Sequence, residues 1–250
     1  MIHQRRRAIA LRWIEELALP SRARVLEVGC GAGLLAIDLA RRGYDVDCID
    51  SSKAMVELAA AEAKEADVAG RLSVDIGDVH ALGFESGVFD LVIALGVLPF
   101  LHSPKTALAQ MVRVTRPGGS VILSSDNKFR LNKLLDPRYA PFPGREGLKR
   151  LLTDVGAKAP SEVPSALFSY RTAKRMIEDA GFEVDRCVPL GFGPFSVLGA
   201  NLFREPRAIK VNNWLQERAD RSVPGIRSVS AQHLILARKP SPPEAPHSSH

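Results

Sequence analysis

The feature that most constrains this chain is a run of glycines, Glu27-x-Gly29-x-Gly31-x-Gly33. It joins a short apolar stretch, RVLEVG (24–29), to a helical one, LLAIDLARRG (34–43). Glycine lets the backbone turn tightly from strand to helix and lets a ligand touch the main chain. In an open α/β sheet such a turn lies beyond the carboxyl end of the first strand, near the switch point of strand order, where ligands bind. Spacing alone leaves several nucleotide-type cofactors open, and a bare tight turn as well.

The rest of the first half repeats the strand–helix alternation. DVDCID (45–50), RLSVDIGD (71–78), VFDLVIAL (88–95) and SVILSS (120–125) read as strands. KAMVELAAAEAKEAD (53–67) reads as a helix, and TALAQMVRVTRPGG (106–119) as a helix closed by a Pro-Gly-Gly turn. This predicts a doubly wound parallel sheet with helices on both faces. Ile9, Trp13 and Leu17 at four-residue spacing predict an N-terminal helix over 5–19, packed on the main domain or covering a ligand site.

The second half is less regular. A helix over 170–180, a sixth strand over 182–190 and a last strand over 229–240 are expected. The core is then 24–125, 170–189 and 229–239 within a single domain, 1–239. Residues 126–168, with two short helices at LNKLLDP and REGLKRLLTDVGA, and 191–224, with a helix over 207–221, are insertions expected to form a lid. The tail 240–250 is too polar to fold.

Three details narrow the ligand. No Gly-x-x-x-x-Gly-Lys-Ser/Thr sequence is present, which disfavours a nucleoside-triphosphate cradle. Asp50, followed by Ser51, ends the second strand 21 residues after Gly29, where a carboxylate accepts from two ribose hydroxyls. Asp78 ends the third, within reach of an adenine amino group. Glu27 adds negative charge at the turn, which opposes a pyrophosphate and suits a sulfonium and an amino group.

With these residues in hand, the chain resembles the class I S-adenosylmethionine-dependent methyltransferases, in the broad group of quinone and small-molecule enzymes. VLEVGCGAGLLAIDLARRGYDVDCIDSSKAMVELA, GDVHAL, FDLVIALGVL and VTRPGG carry the resemblance, in order, across most of 24–125. It implies S-adenosylmethionine as cofactor. It implies Gly29, Gly31 and Gly33 against the methionine portion, Asp50 on the ribose hydroxyls, and Asp78 with the backbone of Val79 at adenine. Ala94 and Leu95 would line the amino-acid end. It implies a seventh, antiparallel strand beside the sixth, which 229–239 fits. The expected sheet is thus seven-stranded, mostly parallel and Rossmann-like, with helical lid insertions.

Methyl transfer is largely a matter of holding a nucleophile opposite the leaving sulfur, and an oxygen or activated-carbon acceptor gains from a base. His102, after the fourth strand in LGVLPFLHSP, is the best candidate base, or else a loop histidine near the next helix start. Some members of the resembled group carry a Glu-His pair in this loop. Here Pro99-Phe100 stands in that place, which weakens a quinone-type mechanism. Asn127 is a candidate for orienting a substrate hydroxyl, and Tyr170 and Tyr139 are candidates from the lid region. His80 is expected near adenine and His233 as a structural residue of the last strand. Cys30 reads as a small buried side chain. No histidine spacing suits a metal.

The 34 basic and 28 acidic residues leave +6. Residues 126–182 hold eleven Lys or Arg against seven Asp or Glu, and 200–227 hold six against three, so the excess lies in the insertions. It is either a solvated face, an attraction for an acidic acceptor, or a means of transient contact with an anionic membrane surface. GFGPFSVLGANLF (191–203) is either the apolar wall of a pocket or the underside of a packed lid. A membrane span is not expected, and charge near the N-terminus where a signal peptide needs an apolar core points to a cytoplasmic protein.

The expected activity is methylation of an oxygen, nitrogen or activated carbon of a small, partly hydrophobic or acidic metabolite. Nucleic acid is the competing substrate. It is disfavoured because ALGVLP replaces the Asn/Asp-Pro-Pro-Tyr/Phe motif and no zinc-knuckle spacing is present. A non-catalytic cofactor-binding module is a third reading. Oligomeric state is not set by the sequence.

Overall fold

Short apolar strands joined by helices bury both faces of one sheet. The computed structural model describes residues 2–131, 166–193, 195–197, 200–223 and 225–242. Helix α1 (Ile2–Glu16) leads into β1 (Arg24–Val28), α2 (Leu34–Arg41), β2 (Asp45–Asp50), α3 (Lys53–Glu65) and β3 (Leu72–Ile76). Then come β4 (Phe89–Ala94), α4 (Pro104–Val114) and β5 (Thr115–Asp126). The second half supplies α5 (Tyr170–Asp179), β6 (Glu183–Leu190), a small hairpin of β7 (Ser196–Val197) and β8 (Ala200–Asn201), α6 (Glu205–Asp220) and β9 (Gln232–Arg238).

The sheet has seven strands in the order β3-β2-β1-β4-β5-β9-β6. β1 to β5 pair in parallel, and β9 runs antiparallel to both β5 and β6. The expected fold class holds, including the antiparallel last strand. Chain order reverses between β1 and β4, so the switch point falls directly beyond Val28 and Ala94. Alternate residues divide the core in two. Trp13, Ile14, Leu39, Leu91 and Leu234 pack on the face of α1, α2 and α3. Phe89, Val92, Leu108, Met111, Ile177 and Ile235 pack on the face of α4 and α5.

Several boundaries differ from the sequence expectation for local reasons. The N-terminal helix runs three residues earlier at both ends, because Ala10, Trp13 and Ile14 are its buried positions and Ala18 takes a left-handed φ of 46°. The Arg116-Pro117-Gly118-Gly119 segment is not a separate turn. β5 starts at Thr115 opposite Phe89, and the register shifts before Leu91 pairs with Ser120. The last strand starts at Gln232, since Arg227–Val229 form a 3-10 turn. α6 spans Glu205–Asp220, and the β7–β8 hairpin was not anticipated.

Within GFGPFSVLGANLF, Phe192 and Phe195 are buried with Ala219 against α6, while Leu202 and Phe203 are exposed. Phe195 also lines a cavity with Ile2 and Ile209. Tyr139, Leu198, the REGLKRLLTDVGA helix, all but Leu131 of the LNKLLDP segment, and the tail from 243 lie outside the described residues. No described helix is long and apolar enough to cross a membrane.

Candidate cofactor site at the switch point

The glycine turn is built around the end of β2. Ile49 carbonyl oxygen accepts from both Gly29 N (2.8 Å) and Cys30 N (3.2 Å). Gly29, Gly31 and Gly33 all have positive φ, at 67°, 54° and 71°. The three differ in what a side chain would meet. A Cβ on Gly29 would lie 2.5 Å from Val97 Cγ2, and one on Gly33 would lie 3.0 Å from Ala59. At Gly31 nothing lies within 4 Å, so its bare backbone faces open space that a ligand can fill.

One carboxylate is tied to that turn, and a second acid lies buried on the strand before it. Asp50 Oδ2 accepts from Gly31 N (3.0 Å) and Oδ1 from Ser52 N (2.9 Å), which fixes the carboxylate against the turn. Each oxygen keeps a further acceptor position for a ligand hydroxyl. Ser51 stands exposed beside it. Glu27 is buried, and its Oε2 has no hydrogen-bond partner. Burial raises its pKa to about 8, with the Ala36 backbone and the cations of Arg7 and Arg6 pulling the other way. At neutral pH such a carboxyl is mostly protonated, and a cation brought beside it favours its ionised form. Ala94 is fully buried at the end of β4 and Val79 is buried in the core beside it.

One cation at this edge escaped the sequence reading. Arg6, on α1, reaches over the switch point. A Cβ on Gly96 would lie 3.2 Å from both of its Nη atoms. Its Nη1 donates to Ser124 Oγ and Gln232 Oε1, each at the long distance of 3.4 Å. Ser124 Oγ also accepts from Gly96 N (2.7 Å), which ties β5 to the loop after β4. The only sequence signal was the Arg5-Arg6-Arg7 run on a helix already suspected of covering a ligand site.

The candidate catalytic residues do not converge. His102 is exposed and stacks on His80 with ring centroids 3.7 Å apart. His80 Nδ1 in turn lies 2.7 Å from Asp78 Oδ1, which also accepts from His80 N. These contacts hold the Asp78 carboxyl below its usual range. His102 therefore belongs to the Asp78–Val79–His80 edge. Asn127 is 1% exposed, and its carboxamide donates to Ser228 O and Ser230 O and accepts from Phe129 N. That amide is occupied as a framework joint and has no donor left to orient a hydroxyl. Tyr170 and Asn127 do meet, on the wall of a cavity of about 700 Å³ at the ends of β5, β9 and β6. Burial holds the Tyr170 phenol above its usual pKa. His102 is not part of that wall. Cys30 is buried, as expected. Among the described residues no group of three His, Cys, Asp or Glu could hold a metal.

The residues present fit S-adenosylmethionine. The unpartnered Glu27 oxygen and the Asp50 carboxylate suit an amino group, a sulfonium and ribose hydroxyls, and the open space at Gly31 admits them. Comparison with known proteins agrees. Residues 26–123 match the Methyltransferase domain family. A stretch of 108 residues is 37% identical to a ubiquinone biosynthesis O-methyltransferase of Alkalilimnicola ehrlichii, covering 42% of each chain. The enzyme of that name from Pseudomonas paraeruginosa is 29% identical over 199 residues, 75% of this chain and 76% of that one. The solved magnesium protoporphyrin IX methyltransferase from Synechocystis PCC 6803 with bound SAH superposes with TM-score 0.60 at 19% identity, over 95% of this chain and 84% of that one. Glycine turn, carboxylate pair, strand order and domain match together show a Rossmann-like methyltransferase fold that takes S-adenosylmethionine, with a Methyltransferase domain over residues 26–123.

Proposed function

We propose that the chain transfers the methyl group of S-adenosylmethionine to an oxygen on a small, partly aromatic acceptor that carries acidic character. The observation that carries the reading is the charge pattern at the switch point. Asp50 lies at the turn with the ionisable Glu27 on the strand before it, and Arg6 lies over Gly96, so a ligand's cationic centre favours the ionised form of Glu27 while its carboxylate meets Arg6. Gly31 and Asp50 would hold the ribose end, Glu27 the cationic centre, and Arg6 the carboxylate. When bound, the cofactor supplies an electrophilic methyl group.

The chain's own residues position and shield. Asp50 is fixed by two backbone donors before any ligand arrives, which lowers the ordering cost of binding. α1 lays Ala10, Trp13 and Ile14 on the sheet and thereby holds Arg6 over the site as a cover. The names of the two ubiquinone biosynthesis relatives favour an oxygen on an aromatic ring over nitrogen or carbon. The excess of +4 over residues 126–182 and of +3 over 200–227 supports an acidic acceptor. Nucleic acid remains the competing acceptor.

Full-length protein incubated with methyl-labelled S-adenosylmethionine and, separately, fractionated small metabolites and total RNA tests the reading. Label is expected in phenolic or acidic small molecules. Label confined to RNA overturns it.

A further inference from the structure

The cavity of about 700 Å³ near Tyr170 lies away from the glycine turn. It is walled by the ends of β5, β9 and β6, by the first turn of α5 and by the 3-10 turn at Arg227. In strand order, β1 is followed by β4, β5 and β9. Three strand spacings of about 4.8 Å put the centre of this cavity about 14 Å from the cofactor turn. The volume is far beyond that of an ordered water and within the range of sites for small organic molecules.

His233 sits in its wall. It is 4% exposed, and its Nδ1 has no hydrogen-bond partner. Its cross-strand neighbour Ser125 is fully buried, and its Oγ is also unpartnered. Ser125 stands behind the wall, and of this pair only the His233 ring lines the cavity, where it is the polar group that an occupant can address. Burial and the nearby Arg227 charge pull the His233 pKa down to about 4, so the ring is neutral and offers one donor and one acceptor.

The mouth has the opposite character. Arg227 and Arg171 line it, and no Asp or Glu does among the described lining residues. Arg227 is steadied by donating to Cys187 O (2.9 Å) and Ser222 Oγ (3.3 Å), which leaves further N–H groups open. Arg171 stands in the first turn of α5, whose amino end adds partial positive charge. Between mouth and floor the walls are flat. The Tyr170 and His233 rings lie 5.7 Å apart at 48°, beside Pro189 and Phe129.

We propose that this cavity is a binding site for a small aromatic carboxylate. Its ring lies against Tyr170 and Pro189, its acid group meets Arg227 and Arg171, and a ring substituent or bound water meets His233. The site stands on its own geometry and does not rest on the methyl-transfer reading.

Histidine-selective NMR of the full chain tests it, with benzoate as probe and with neutral benzamide and inorganic phosphate as comparisons. His233→Phe assigns the resonance. Benzoate is expected to shift the His233 signal saturably, with benzamide and phosphate each at least tenfold weaker, and without competition from saturating S-adenosylhomocysteine. The exposed substitution Arg227→Gln, which leaves the core intact, is expected to reduce benzoate to the benzamide level. No saturable shift, equal affinity for benzamide or phosphate, an unchanged Arg227→Gln titration, or competition by S-adenosylhomocysteine overturns the proposal. None of these outcomes bears on whether the chain transfers methyl groups, which the labelling assay reads separately.

Discussion

At the scale of single residues, Glu27 shows how one buried side chain couples ligand, proton and stability. Its folded pKa of about 8 lies above the ordinary 4.5. The stability tied to its protonated form is therefore complete below about pH 4.5 and is lost as pH rises through about 8. Urea unfolding of the unliganded chain is expected to show a fall of up to about 2 kcal/mol between pH 6 and pH 8 that Glu27→Gln removes. A bound cation reverses the cost, so cofactor binding is expected to release a proton near pH 7 and to tighten as pH rises. Calorimetry in buffers of different ionisation enthalpy reads that proton, and Glu27→Gln abolishes its release. His102 carries a second residue-scale prediction. The sequence marked it as a base by its place after the fourth strand, but stacking on His80 joins it to the Asp78 edge. His102→Ala is expected to weaken cofactor binding several-fold with turnover at saturation nearly unchanged. A large fall in saturated turnover with unchanged affinity would restore the role of base.

At the scale of elements, α1 separates packing from recognition on adjacent turns. Trp13 is 2% exposed and fills the core on the α1 face. Trp13→Ala is expected to cost about 3–5 kcal/mol in chemical unfolding. Arg6, two turns earlier, is held by long contacts that contribute little to folding. Arg6→Gln is expected to leave the melting temperature within a few degrees and to weaken S-adenosylmethionine binding at least tenfold, measured by calorimetry. The Ile9, Trp13 and Leu17 period was enough to find this helix, yet its ends moved by three residues. Helix ends are set by caps and by backbone outside the element, here the left-handed turn at Ala18, which apolar period does not encode. The Pro-Gly-Gly segment misled in a similar way. Its turn-forming residues are absorbed as an irregularity in β5, because pairing with β4 and a bond from Gly118 N to Lys239 O (2.8 Å) hold it in the sheet.

At the scale of the whole molecule, a ligand that binds only the folded chain stabilises all of it by mass action. S-adenosylhomocysteine at a hundred times its dissociation constant adds about 2.7 kcal/mol. For a chain of this size that corresponds to a rise in melting temperature of about 5–10 °C. Asp50→Ala is expected to abolish the rise in a thermal-shift experiment. It also loses the bonds to Gly31 N and Ser52 N, at a cost of about 1–2 kcal/mol to the unliganded chain. A rise equal to that of the unaltered chain would remove Asp50 from the site.

The sequence by itself determined the parts whose chemistry is local. The glycine turn, the strand–helix alternation, and the acids at or just after the ends of β2 and β3 are each written within a few consecutive residues. Backbone freedom, apolar period and strand length act over that same range. Tertiary structure alone decided which distant side chains share a site. Arg6 reaches Gly96 and Gln232 from 90 and 226 positions away, and Ser125 meets His233 only because β9 enters the sheet beside β5 in reverse. The same pairing commits Asn127 to the Ser228 and Ser230 carbonyls and leaves His233 Nδ1 without a partner. Burial and hydrogen-bond completion are properties of the assembled sheet, so a residue's type can mark it as a candidate, but only its neighbours decide whether it is free to act.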